Sequence, residues 1–112
     1  MKELISINQK LDIFKKKSIS VPGDKSLSIR FVILSSLSKG KSIAHNLLKS
    51  GDVISAIQCI RKLGIKIDLK KNHCEVFGKG LHGFKYKENI ILNAGNSGTA
   101  ARLLCAALID SN

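Results

Sequence analysis

The sequence predicts an α/β (α+β) chain of strands and helices joined by short connections. Three observations carry that prediction. Apolar residues recur with a period near two in some stretches and near 3.6 in others. Glycine and proline punctuate the boundaries between those stretches, at Pro22-Gly23, Gly40 and Gly64. One arrangement also occurs twice, a strand followed by a glycine turn and then by small hydroxyl residues that start a helix. It stands at Gly23 to Ser26 and again at Gly95 to Thr99, with the two glycines 72 positions apart (95 − 23). That spacing suits a repeated unit of strand, helix, strand, helix and hairpin, the second copy being only begun.

Taken in order, residues 4–7 and 18–21 read as short strands before Pro22-Gly23. A helix follows over 26–38, with Leu27, Phe31, Leu34 and Leu37 as its apolar face and Val32 and Ile33 widening it. Gly40 is a natural stop, and 42–47 returns to strand. Ser50-Gly51-Asp52 opens a second helix in which Val53, Ala56, Ile57, Ile60 and Leu63 keep helical spacing until Gly64. Residues 65–69 and 74–77 read as a hairpin turned through 70–73. A glycine- and lysine-rich loop over 78–88 leads to a further strand at 89–92. Residues 93–99 then open a third helix running towards Ile109.

Composition bounds the function classes. At 112 residues, with 44% hydrophobic and 24% charged residues, the chain can form one real core. It is neither a disordered tail nor a disulfide-stapled miniprotein. The net charge of +11 invites a polyanion partner. Yet 16 lysines, scattered apart from the triple at 15–17 and the pair at 70–71, stand against only Arg30, Arg61 and Arg102. The aromatic residues are Phe14, Phe31, Phe77, Phe84 and Tyr86, with no Trp. Nucleic-acid sites favour arginine forks and stacking platforms, so a solvated lysine-rich surface explains the charge better. Cys59, Cys74 and Cys105 form no C-x-x-C pair, which excludes the usual zinc and thioredoxin-type arrangements. Cys59 and Cys105 read as small core residues of helices, in a reducing, cytoplasmic compartment. The first residues hold no uninterrupted apolar stretch of a secretory signal, and no segment approaches a membrane span.

The chemistry concentrates at the two helix starts. A helix N-terminus offers unpaired N–H groups and a positive dipole end, and glycine lets an anion approach the backbone. Pro22-Gly23-Asp24-Lys25-Ser26-Leu27-Ser28-Ile29-Arg30 adds two cations, with Arg30 one turn below Ser26 on the same face. A capped helix with a solvated Lys and Arg would use the same residues. In Gly95-Asn96-Ser97-Gly98-Thr99-Ala100-Ala101-Arg102, two glycines at one helix start suggest close approach by a ligand or another backbone. A tight turn capped by Ser97 is the alternative. Gly40-Lys41-Ser42 is not a P-loop, because Ser35 stands where the first glycine is needed and a strand follows. His45, His73 and His82 share no metal-ligand spacing, and Asp24 and Asp52 sit at helix starts, where capping is their default role. No carboxylate pair and no Ser–His–Asp grouping stands out, so anion holders outnumber proton movers.

The two motifs, in this order and spacing, resemble those of the 5-enolpyruvylshikimate-3-phosphate synthase family, and residues 47–53 resemble its intervening segment. The resemblance implies an enolpyruvyl transferase-like fold, an inside-out α/β barrel of repeated units, incomplete here. Residues 1–17 would belong with a second domain absent from this chain, 18–88 would form the first repeat, and 89–112 would begin the next. The implied reaction moves the enolpyruvyl group of phosphoenolpyruvate to the 5-hydroxyl of shikimate 3-phosphate and releases phosphate. It needs no metal and no organic cofactor.

By resemblance, Lys25, Ser26 and Arg30 hold shikimate 3-phosphate, Lys25 and Gly98 meet phosphoenolpyruvate, and Asn96, Ser97 and Thr99 shape that pocket. No catalytic acid/base residue falls within the chain; those carboxylates are expected beyond residue 112. The implied partners are the two small substrates alone, without nucleic acid or membrane, in a cytoplasmic protein that is monomeric when full length. The chain by itself is expected to be inactive. Two departures touch the pocket, Ser97 where many members have Ala and Leu103 where they have Pro. The related UDP-N-acetylglucosamine enolpyruvyl transferases normally carry Asn where this chain has Ser26. A non-catalytic basic module is the reading from a different class.

Overall fold

The computed structural model describes residues 4–6, 18 and 20–109. Six elements follow one another, α1 (Lys25–Leu37), β1 (Lys39–His45), α2 (Gly51–Lys62), β2 (Lys66–Leu69), β3 (His73–Lys79) and α3 (Gly98–Leu108). The three strands form one antiparallel sheet in the order β1-β3-β2, so the last strand in the chain lies in the middle. The predicted mixed α/β architecture is present, with its three helices and its hairpin.

Strand alternation decides which sheet face meets the helices. Cys74 and Val76 of β3 are fully buried, and they pair with Ala44 and Ser42 of β1 and with Leu69 and Ile67 of β2. Glu75 points the other way. Its carboxylate pairs with Lys70 at 3.3 Å and Lys41 at 3.5 Å, and His73 stands 3.7 Å away. The hydrogen bond and charge of Lys70, helped by Lys41, hold the Glu75 carboxyl below its ordinary range, against an opposing effect of partial burial. On the same face the Lys66 ammonium lies 5.0 Å from the centre of the Phe77 ring.

α1 packs against α2, α3, β1 and β3, which makes it the hub of the fold. Its buried face is Ile29, Val32, Ile33 and Ser36, while Leu27 and Leu34 are about two-thirds exposed. The predicted face is therefore rotated. Apolar residues surround this helix, so periodicity barely discriminates, and serine can be buried once its hydroxyl is satisfied. Ser36 Oγ donates to the Ile33 carbonyl at 2.6 Å, and Ser35 Oγ to the Val32 carbonyl at 3.2 Å. α2 follows prediction, burying Val53, Ala56, Ile57 and Ile60.

Other boundaries moved for local reasons. β1 begins at Lys39 because Gly40 pairs with Gly78 across the sheet, and it ends before Asn46, whose φ of 60° turns the chain. β3 runs on through Gly78, where a Cβ would collide with the carbonyls of Ser35 in α1 and of Ser38 just after it. The predicted strand at 89–92 is absent. Glu88 and Asn89 form a turn, with φ of 60° at Asn89, and the segment lies along α2 without a ladder. Side chains hold it there, Lys62 Nζ donating to the Ile91 carbonyl at 3.2 Å and Cys59 Sγ to the Asn93 carbonyl at 3.3 Å.

The predicted strands at 4–7 and 18–21 are likewise absent from their described residues. Leu4 and Ile5 are almost fully exposed, and the Val21 carbonyl accepts from Asn46 Nδ2 of a loop. Ile7, Ile19, Phe14 and the lysine triple at 15–17 lie outside the described residues.

Several scattered lysines have structural partners. Lys49 Nζ donates to the Lys70 and Lys71 carbonyls at 2.9 and 3.2 Å, and Lys79 Nζ to the Gly64 carbonyl at 3.1 Å. These ammoniums close loops. Cys59 and Cys74 are buried, and burial pushes both thiols up, away from the reactive thiolate. Cys105 is exposed, contrary to its predicted core position, because α3 buries Ala100 and Leu104 instead. No helix among the described residues is long and apolar enough to cross a membrane.

Candidate anion-binding site

The first glycine turn is built on the loop that follows β1. Asn46 Nδ2 donates to the Val21 carbonyl at 2.7 Å, and the Leu48 N–H donates to Ser28 Oγ of α1 at 3.1 Å. Between these two bonds the backbones approach so closely that a Cβ on Gly23 would collide with the Asn46 carbonyl. Glycine is thus required by contact within the chain. Asp24 then caps α1, its carboxylate accepting from the Leu27 N–H at 2.7 Å, as its position predicted. The helix starts at Lys25, one residue earlier than the periodicity placed it.

Lys25 reaches a residue that sequence reasoning assigned elsewhere. Its Nζ stands 3.2 Å from Asp52 Oδ2 in the first turn of α2. Ser50 is the N-cap residue of that helix, so Asp52 bridges to α1 rather than capping α2. Ser26 is half-buried and Arg30 exposed, and neither has an ion pair among the described residues. Arg30 borders a groove of about 340 Å³ between α1 and α3, beside Leu34, Leu37, Leu103 and Ala107.

The second turn leans on the same helix. Gly95 has φ of 60°, and its N–H is bonded by Asn93 Oδ1 at 2.8 Å. A Cβ there would stand 2.9 Å from Ser55 Oγ. Ser55 lies three residues after Asp52, one turn along α2. Ser97 is buried and caps α3, accepting from the Ala100 N–H at 3.0 Å. Gly98 opens α3, and nothing lies within 4 Å of where its Cβ would be. Asn96 is exposed and Thr99 half-buried beside it.

The fold thus draws the two motifs onto neighbouring turns of α2, Lys25 through Asp52 and the Gly95 turn through Ser55. Arg30 is carried towards α3 on the same helix as Lys25. The arrangement offers a cation and a helix N-terminus with an open glycine, which suits holding anions. Among the described residues no group of three His, Cys, Asp or Glu side chains could hold a metal. A hollow of about 720 Å³ lies between Val21-Pro22-Gly23, the 45–49 loop and the β2–β3 turn. None of Lys25, Ser26, Arg30 and Gly98 lines it, and Lys49 on its wall is committed to backbone carbonyls. Lys25, Arg30 and Gly98 are exposed to solvent instead.

Comparison with known proteins gives a consistent picture. The sequence model of EPSP synthase (3-phosphoshikimate 1-carboxyvinyltransferase) matches residues 14–112. The 3-phosphoshikimate 1-carboxyvinyltransferase of Syntrophomonas wolfei is 45% identical over 93 residues, 83% of this chain and 22% of that protein. Its counterpart in a Sulfurihydrogenibium strain is 47% identical over 91 residues, 81% of this chain and 21% of that protein. The chain therefore spans about a fifth of these relatives' length. Among solved structures, the EPSP synthase from Acinetobacter baumannii superposes with a TM-score of 0.73 at 33% identity, covering 80% of this chain and 20% of that one.

Proposed function

The chain belongs to the EPSP synthase (3-phosphoshikimate 1-carboxyvinyltransferase) family, and from that premise we propose that it forms part of a site for enolpyruvyl transfer from phosphoenolpyruvate to the 5-hydroxyl of shikimate 3-phosphate. In that reaction the hydroxyl gives up its proton and its oxygen bonds to C2 of phosphoenolpyruvate, while C3 takes up a proton. Loss of a proton from C3 then expels phosphate and restores the double bond. Both substrates are anions throughout.

The residues of this chain bind and orient rather than move protons. Lys25 bridges the two substrates as a point charge. Ser26 and Arg30 hold shikimate 3-phosphate by a hydroxyl and a planar fork. Phosphoenolpyruvate lies against Gly98, where the open backbone admits it, and Asn96, Ser97 and Thr99 shape the wall. The proton transfers fall to groups outside these 112 residues. We assign residues 18–88 to a first repeat, 89–112 to the start of a second, and 1–17 to contacts with a further domain. The working protein is a cytoplasmic monomer without metal or cofactor.

One observation carries the reading: α2 gathers Lys25 and the Gly95–Gly98 turn, 70 residues apart in sequence (95 − 25), onto successive turns of one helix. Fixed charge aimed at an anionic transition state is commonly the largest catalytic contribution. In the protein expressed from its complete reading frame, Lys25→Ala is expected to lower kcat/KM for phosphate release about a thousandfold, with the unfolding midpoint unchanged. Unchanged turnover would remove Lys25 from the site. The 112-residue chain alone is expected to release no phosphate from the two substrates.

A further inference from the structure

We propose that Asp52 is a positioning residue for Lys25, fixing the ammonium relative to the glycine turn through the rigid first turns of α2. The inference rests on the assignment of Lys25 to the substrates. A lysine side chain is a flexible four-carbon stem, and binding through it costs rotamer freedom unless something else already holds it. Asp52 does so at 3.2 Å, occupying one of three ammonium donors and leaving two for ligand. The side chain of Asp52 is 26% exposed and that of Lys25 54%, so the carboxylate is the anchored partner and the ammonium faces outward. Its place in the first turn of α2 puts the positive end of the helix dipole behind the carboxylate.

The pair differs from the other ion pairs among the described residues. Those of Lys41, Lys66 and Lys70 lie on or beside the sheet, within or between its strands. Lys25–Asp52 joins two helices, and one turn further along α2 Ser55 lies against Gly95, its Oγ 2.9 Å from where a Cβ on that glycine would stand. Asp52 and Ser55 thereby set the cation and the glycine turn on one ruler. A shift of either along α2 would change the gap that two bound anions must span, and positioning errors of this kind are costly to rate.

The test is a double-mutant cycle on kcat/KM for phosphate release, in the protein from its complete reading frame. Asp52→Ala is expected to cost about tenfold when Lys25 is present and less than twofold in the Lys25→Ala background. Asp52→Asn, which keeps an oxygen acceptor, is expected to recover most of the loss, and it carries the same cycle if the alanine variant unfolds early. Equal losses in both backgrounds, or a loss below twofold with Lys25 present, would overturn the role of Asp52 while leaving that of Lys25 standing. If Lys25→Ala alone leaves kcat/KM unchanged, the underlying assignment fails first, and the inference falls with it.

Discussion

The two glycine turns look alike in sequence and are built differently. Gly23 is enclosed by its own chain, with the Asn46 carbonyl where a side chain would go. Gly98 has nothing within 4 Å of that position. Both helices are capped, by Asp24 and by Ser97, so capping does not separate them. Glycine at the start of α3 costs stability relative to alanine, roughly 0.5–1 kcal/mol, and no contact within the described chain requires it. Gly23 is therefore fixed from inside the chain, as is Gly95 against Ser55, while the space beside Gly98 is left open. Similar motifs can be kept for opposite reasons.

The sharpest way to break the comparison is to add one methyl group to each. Gly23→Ala forces backbone against backbone and is expected to destabilise the protein by about 3 kcal/mol, read as a lower midpoint in urea. Gly98→Ala is expected to leave stability unchanged or raise it by up to about 1 kcal/mol, through helix propensity. If the proposed function holds, its cost should appear in the protein from its complete reading frame, as a rise of about tenfold in KM for phosphoenolpyruvate. Equal effects of the two substitutions on stability would erase the distinction.

The smallest effect belongs to the sheet. The Glu75 carboxyl is held below its ordinary value of 4.5, so its contribution to stability is present above that pH and is lost as pH falls through the lower folded value. Unfolding midpoints should therefore decline below pH 4.5, and Glu75→Gln should flatten that decline. Neither glycine substitution should alter the acid slope.

These contrasts also show what the linear pattern could carry. The body of α2, the hairpin and both helix starts were legible because each depends on local spacing, capping or turn chemistry. The face of α1 was not, because Leu27 and Leu34 compete with Ile29 and Val32 on a helix apolar nearly all round, and buried serines disguise the true face. The strand expected at 89–92 failed for want of a ladder partner, which periodicity cannot supply. Within the site, Lys25 and Gly98 were legible as residue types at a helix start. Asp52 was visible only as a helix-start carboxylate, since its pairing depends on how two helices 27 positions apart are brought together (52 − 25).

The strand order β1-β3-β2 has a consequence for how the molecule assembles. The central strand is made last, so during synthesis the first two strands have nothing to pair with until residues 73–79 emerge. The β2–β3 hairpin can then close at once across its short turn, where the Lys70 N–H meets the His73 carbonyl at 2.9 Å. β1 must be recruited over a longer loop, a slower step set by contact separation. α1 rests on β1 and β3. Its N-terminus, with Lys25, thus reaches its final orientation only after Lys79 has been added and the whole sheet has closed beneath it.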